Sequence, residues 1–394
     1  MTISLENKII KSFKSFYKSK IAYPLHEPSI DINDQKQFLS TIKSTYVSTV
    51  GPLIGKFERR VANYFGSKYA VATNSGTSAL HLSMVAYEIK ENDEVLVPAF
   101  TFVGTVNAIR YCSAIPHFVD SSIEKIGIDV EKLENYLKIT TVKKGKFTYN
   151  KNTGNKIKAI IPVHVFGHPC EIDKILILAK KYNLIVIEDA AESLGSKYKN
   201  KHCGTFGNVG CLSFNGNKII TAGSGGIVLT NNKKIAEEIR HLSMVAKKKH
   251  RWSFVHDKIG YNYKITNLNA SLGLSQLKKI NKFLVSKRKL FKIYSKIFSP
   301  LNDHLYILKE PKLSRSNYWL QNIILRNSSV NKKEKILKKL NDNKIFARPA
   351  WTLMSDLRPF KKYPKMNLKG SKIFFNSIIS IPSSQSIILK KLYK

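Results

Sequence analysis

The chain has 394 residues, 43% of them hydrophobic, and sets 66 Lys and Arg against 27 Asp and Glu for a formal net charge of +39. That supplies a large core and two domains in one subunit, and no run of about 18 apolar residues is present to span a membrane. The lysines are scattered among Ile and Asn with no focused stripe or reading motif, which argues against nucleic acid as a partner.

Lys8, Lys11, Lys14 and Lys18 interrupt the N-terminus, so no secretory signal is expected there. Ile9, Ile10, Phe13, Phe16 and Tyr17 fall on one side of a helical projection. This predicts an amphipathic helix within residues 1–22 that packs on the body of the protein rather than on a membrane. From 23 to 269 short apolar runs alternate with helical patterns, the mark of an α/β domain with a mostly parallel central sheet. The expected strands are Tyr69–Thr73, Glu94–Val97, Ile115–Val119, Ile157–Val163, Leu184–Glu188, Gly210–Phe214 and Gly226–Thr230. Helices are expected at Thr77–Tyr87 and Glu171–Tyr182 among others. The polar stretch 138–158, with a turn signal at Asn152–Thr153–Gly154, reads as an inserted surface hairpin. A long helix from about Asn269 to Phe298 then leads into a smaller α/β domain, the two together filling 270–394. Cys112, Cys170, Cys203 and Cys211 form no CxxC pair, which predicts reduced thiols in a cytoplasmic protein and no metal site.

Three segments carry chemistry. LIVIEDAAES begins with a continuous apolar run, as in a strand buried on both faces, and delivers Glu188 and Asp189 at the end where open α/β sheets bind ligands. Alone, Asp189 reads as a helix cap. SFNGNK places Lys218 after another strand, just before the glycines of TAGSGG, and alone it reads as one surface lysine among many. Together they match a need. Pyridoxal phosphate (PLP) requires an amine to join its aldehyde and a carboxylate to keep its pyridine nitrogen protonated. A phosphate cradle should accompany them, and NSGTSAL fits. Gly76, Thr77 and Ser78 open a helix after a strand, where N–H groups and the helix dipole attract an anion. Ser213 adds a hydroxyl, and Phe102 of PAFTF an aromatic face.

In order along the chain, NSGTSAL, PAFTF, EDAAESLGS, SFNGNK and GYNYKITNLNASLG resemble the DegT/StrS-type sugar aminotransferases of PLP fold type I. The resemblance runs from about Tyr23 to Ser384. It implies that Lys218 is the Schiff-base lysine, that Asp189 partners the pyridine nitrogen, and that Glu192 stands near the cofactor. It also implies that Thr77, Ser78 and Ser213 bind phosphate, that Phe102 stacks on the ring, and that Asn262 reaches the phosphate of a neighbouring subunit in a homodimer with shared sites. Lys264 stands where relatives commonly carry Arg; it keeps the charge but not the planar two-point grip.

A narrower set of matches is PLHEPS, PVHVFGHP, HRWSFVHDKIGYNY, SNYWL and ARPAWTLM. It resembles the legionaminic-acid-pathway aminotransferases, which act on a nucleotide-linked 4-keto-6-deoxy-N-acetylglucosamine. His250, Trp252, Lys264, Arg348 and Trp351 are then substrate-side candidates, with glutamate as the expected amino donor. Alternatives are a 3-keto nucleotide sugar, a PLP-dependent sugar dehydratase and a non-enzymatic PLP-binding sensor. Dehydrating relatives have His at the position of Lys218, which counts against the second.

Overall fold

The computed structural model describes residues 3–17, 22–122 and 124–392. Its centre is a nine-stranded sheet. The strands are β1 (Tyr69–Thr73), β2 (Glu94–Pro98), β3 (Ile115–Val119), β4 (Thr141–Lys144), β5 (Phe147–Asn150), β6 (Lys156–Ile160), β7 (Ile185–Asp189), β8 (Val209–Ser213) and β9 (Gly226–Thr230). The main path runs β1-β9-β8-β7-β6-β2-β3. Its strands are parallel except β9, which runs antiparallel to both β1 and β8. Helices cover both faces, so β2, β8 and β9 are buried at every residue and read as apolar runs, not alternations. The expected mostly parallel, helix-flanked sheet is present.

Three local expectations need correction. The strand expected to reach Val163 stops at Ile160. Pro162 lacks an N–H to continue the ladder, and its carbonyl instead accepts the Asp189 N–H at 2.8 Å. The inserted hairpin exists, but β4 and β5 join across Gly145 in a left-handed conformation (φ 60°). The predicted 152–154 turn instead links β5 to β6, where the hydroxyl of Thr153 and the amide of Asn150 meet the buried Glu94 carboxylate. The helix expected from 269 to 298 is two helices, Asn267–Leu277 and Ile280–Phe298. At the break, Lys279 turns to ion-pair with Asp31 (2.9 Å) and with Asp34 at the start of the Ile32–Lys43 helix. Helix-forming residues lie on both sides, so a tertiary contact, not propensity, sets the break.

Beyond the second helix lies a four-stranded antiparallel sheet of β10 (Leu305–Ile307), β11 (Gln321–Leu325), β12 (Arg348–Pro349) and β13 (Ile378–Ile381), ordered β10-β11-β13-β12. The helix Leu5–Lys14 buries Ile9, Ile10 and Phe13 in one apolar cluster with Leu290, Tyr294 and Phe298 beside this sheet. Its amphipathic stripe is therefore occupied by packing. Positions 1–2 and 18–21 of the expected N-terminal segment lie outside the described residues. All four cysteines are free, and Cys170, Cys203 and Cys211 are buried. Among the described residues no helix is long and apolar enough to cross a membrane.

Candidate active site

The ends of the parallel strands converge on one cavity of about 300 Å³. The segments that follow β1, β2, β6, β7 and β8 each supply part of its lining. After β1, Ser75 caps the Gly76–Ala86 helix by accepting the Ser78 N–H at 3.0 Å, and the helix start opens into the cavity. Gly76 fits because it has no side chain: a Cβ there would stand 2.9 Å from the Cβ of Ser213 at the end of β8. The first N–H groups of a helix have no partners within it, so this junction offers an anion free donors beside a hydroxyl. Among the described residues, Ser213 Oγ is engaged only by the Asn215 N–H at 3.5 Å.

At the end of β7, Asp189 is 5% exposed. Thr105 Oγ1 donates to its Oδ2 at 2.7 Å and the Ala191 N–H to its Oδ1 at 3.1 Å. Thr101 in turn lies 3.1 Å from the Thr105 hydroxyl, whose proton is already committed. Burial raises the Asp189 pKa, while these bonds and the Lys218 charge pull it down. Glu192 is also buried; its Oε2 accepts the Phe166 N–H at 2.7 Å, and burial raises its pKa. Lys218 lies opposite, with Nζ 3.9 Å from Glu192 Oε1. Burial lowers the lysine's pKa and the two carboxylates oppose that. A largely buried amine that lines the cavity near two carboxylates can be both nucleophile and proton carrier.

Gly76, Thr77, Phe102, Asp189, Glu192, Ser213, Lys218 and Trp351 therefore line one cavity, as the sequence suggested. Phe102 stands at its mouth, half exposed, 6.2 Å from the Trp351 ring, which itself stacks on Phe166 at 5.0 Å. The remaining candidates lie elsewhere. Ser78 serves the helix cap, its hydroxyl donating to Asn74 Oδ1 at 2.6 Å. Asn262 is exposed, its carbonyl accepting from the Asn74 side chain at 3.4 Å. Lys264 is half-buried and bridges to Thr73; burial lowers its pKa. His250 is exposed, and its Nδ1 accepts the N–H groups of Trp252 and Ser253; Trp252 is 73% exposed. Arg348 is exposed on the edge strand β12.

Residues 28–392 match the DegT/DnrJ/EryC1/StrS aminotransferase family. This chain belongs to that family. It is 39% identical over 345 residues to the GDP-perosamine synthase of Escherichia coli O157:H7, spanning 86% of this chain and 89% of that one. It is 33% identical over 365 residues to the UDP-4-amino-4,6-dideoxy-N-acetyl-beta-L-altrosamine transaminase of Campylobacter jejuni subsp. jejuni serotype O:23/36 (strain 81-176), spanning 92% of each. Among solved structures, Helicobacter pylori PseC, an aminotransferase involved in the biosynthesis of pseudoaminic acid, superposes with a TM-score of 0.84 at 25% identity. That match covers 95% of this chain and 96% of PseC. As a DegT-family aminotransferase, this chain is a PLP-dependent enzyme.

The residues present fit that cofactor. A helix start and a free serine hydroxyl suit its phosphate, Asp189 its ring nitrogen and Lys218 its aldehyde. Sequence reasoning missed two residues that line the cavity, Thr105 and Trp319. Thr105 carried a signal: it lies in the first turn of the helix Val103–Tyr111 that follows Phe102. Trp319, which lines the cavity with its ring 3.9 Å from Lys218 Nζ, carried none beyond its place in SNYWL.

Proposed function

We propose that this enzyme moves an amino group from glutamate to carbon 4 of a nucleotide-linked 4-keto-6-deoxy-N-acetylglucosamine, in the building of a bacterial surface glycan of nonulosonic-acid type. The observation that carries the catalytic half is the convergence of Lys218, Asp189 and the Gly76 helix start on one cavity. When bound, PLP supplies an aldehyde for the amine and a ring that accepts an electron pair. The Gly76 and Thr77 N–H groups and Ser213 Oγ hold its phosphate, and Phe102 covers a ring face. Asp189 keeps a proton on the ring nitrogen, with Thr105 fixing the carboxylate. Lys218 Nζ would take the proton from the donor's alpha carbon and deliver it to the cofactor's former aldehyde carbon; burial lowers the pKa of this amine, which favours its acting as the base. Glu192 holds the amine nearby between transfers.

The site is proposed to be completed by a second copy of the chain in a homodimer. Asn262 then reaches the phosphate of the neighbouring cavity. His250, Trp252, Lys264 and Arg348 lie on the substrate side, and Trp351 meets the sugar from within the chain. The basic residues favour a diphosphate-bearing substrate. The N-acetylated 4-keto sugar is supported by the resemblance of HRWSFVHDKIGYNY and ARPAWTLM and by the name of the Campylobacter relative. The higher identity to the Escherichia coli GDP-perosamine synthase favours a second reading, a GDP-linked keto sugar.

The test supplies UDP- and GDP-linked 4-keto sugars and a 3-keto sugar separately, with glutamate, and locates the new nitrogen by NMR. Amination of the N-acetylated 4-keto sugar at carbon 4, on either nucleotide, is expected. Amination only at carbon 3, or only of a 4-keto sugar that lacks the N-acetyl group, would reject this substrate while leaving the aminotransferase intact.

A further inference from the structure

Among the described residues, Lys287 ion-pairs with no carboxylate. It is fully buried on the Ile280–Phe298 helix, and its Nζ donates to the backbone carbonyls of Trp319 (2.7 Å) and Ser383. Burial pushes its pKa well below the usual lysine range. Keeping an amine out of water is costly unless it is hydrogen-bonded, and these two bonds are what it receives. They fix the carbonyl of Trp319 from behind.

The segment around Trp319 is tied down on its other side as well. Asn317 Nδ2 donates to the carbonyls of Glu192 (2.9 Å) and Leu194 (3.0 Å), and its Oδ1 accepts the Trp319 N–H at 2.7 Å. Trp319 Nε1 donates to the carbonyl of Asn217 at 2.6 Å, one residue before Lys218. Two side chains thus hold the backbone of Glu192 and of the residue next to Lys218. The indole face is left turned to Lys218 Nζ at 3.9 Å.

We propose that Trp319 is a positioning residue of the reaction: its indole face seats the Lys218 amine whenever that amine is not joined to the cofactor, and Lys287 pins the seat. This rests on the reading of Lys218 as the cofactor lysine. An ammonium is drawn to an indole face more strongly than to other aromatic rings. The groups that also act on this amine are Glu192, Asp189 and, through space, His26, whose imidazole pKa burial and the charges of Lys287 and Lys218 lower. At 3.9 Å, Glu192 is too far for a short ion pair that would trap the amine. The indole thereby shares the proton-bearing amine with Glu192 and keeps it free to return.

The protein is loaded with pyridoxamine phosphate, which leaves the Lys218 amine free. Its acetylation by acetic anhydride is then followed by mass spectrometry from about pH 6 to 10, a range that brackets a lowered lysine. In Trp319→Leu, Lys218 should label about three- to tenfold faster at pH 7, with its midpoint at lower pH. Trp319→Phe keeps a face but loses the N–H to Asn217, and should stay within about twofold of the parent protein. Lys287→Met should move labelling in the same direction as Trp319→Leu. Should Trp319→Leu fail to fold, fluorotryptophan incorporation weakens the face without changing its shape, and labelling should rise about twofold. Identical pH profiles in these proteins, or a Phe variant as altered as the Leu variant, would overturn the proposal. Borohydride attachment of PLP to Lys218 in the parent protein is scored separately. Its absence would remove the reading of Lys218 instead.

Discussion

The floor of the cavity and the loop from 245 to 264 carry motifs of similar sharpness in the sequence, yet they finish differently in the fold. On the floor the buried carboxylates are held by hydrogen bonds within the chain. Asp189 is held by Thr105 and Ala191, and the neighbouring Glu188 accepts N–H groups from Gly204 (2.8 Å), Phe206 (2.6 Å) and Gly207 (2.7 Å) and contacts His164 Nε2 at 3.0 Å. The loop leaves its large side chains outside: Trp252 is 73% exposed, Phe254 79% and Ile259 87%. Apolar residues grouped on a surface mark a face that something else covers. The carboxylates of the floor find their partners within one chain, whereas the loop is where the proposed second copy would contribute. Motif strength alone does not separate the two; burial does.

The sharpest way to break this contrast is at the floor. Lys218→Ala should lower kcat by at least about a thousandfold, the scale of losing a proton carrier, with unchanged circular dichroism. Asp189→Asn should cost about a hundredfold, and Thr105→Val, which frees the carboxylate to turn, about tenfold. If Thr105→Val were as damaging as Asp189→Asn, the threonine would have a role beyond holding the carboxylate.

The loop calls for a different experiment. Lys218→Ala and Asn262→Ala subunits, each inactive alone, are mixed, dissociated and reassociated. One intact site per mixed dimer should return about a quarter of the parent activity, since half the dimers are mixed and half their sites are whole. No recovery, or full activity from Asn262→Ala alone, would place Asn262 outside the site.

A smaller effect is expected where the two regions touch. His81, on the Gly76–Ala86 helix, packs edge-on to Tyr261 at 4.8 Å and Tyr263 at 5.8 Å. Burial holds its pKa down to about 4. The unfolded chain titrates near 6.5 and so takes the proton first. Stability present above pH 6.5 is therefore lost as pH falls toward 4. His81→Phe keeps the ring contact and removes the titration, and should flatten the fall of Tm across that window. An unchanged slope would mean that other groups set the acid limit.

Much of the floor was legible because its signals are local. An apolar run such as LIVI is the mark of a buried strand with Asp189 at its end, and Gly76 after β1 is demanded by the approach of Ser213. What stayed hidden depends on contacts far along the chain. The helix break at Lys279 is set by Asp31 and Asp34, and Trp319 reaches Lys218 only after the second sheet has folded back. Ser78 is a phosphate candidate by its place at a helix start and by resemblance; that its hydroxyl is given to Asn74 and its N–H to Ser75 is visible only in the fold. The loop residues His250, Trp252 and Asn262 were named by resemblance, and nothing in their own sequence says that they lie exposed, away from the cavity of their chain.

The central claim is that Lys218 is the residue that carries the cofactor. Borohydride reduction of the PLP-loaded protein, followed by proteolysis and mass spectrometry, tests it in one step. A single peptide bearing reduced cofactor on Lys218, absent from Lys218→Ala, is the predicted result. Cofactor fixed to any other lysine, or a Lys218→Ala protein that still turns over substrate at the parent rate, would contradict it.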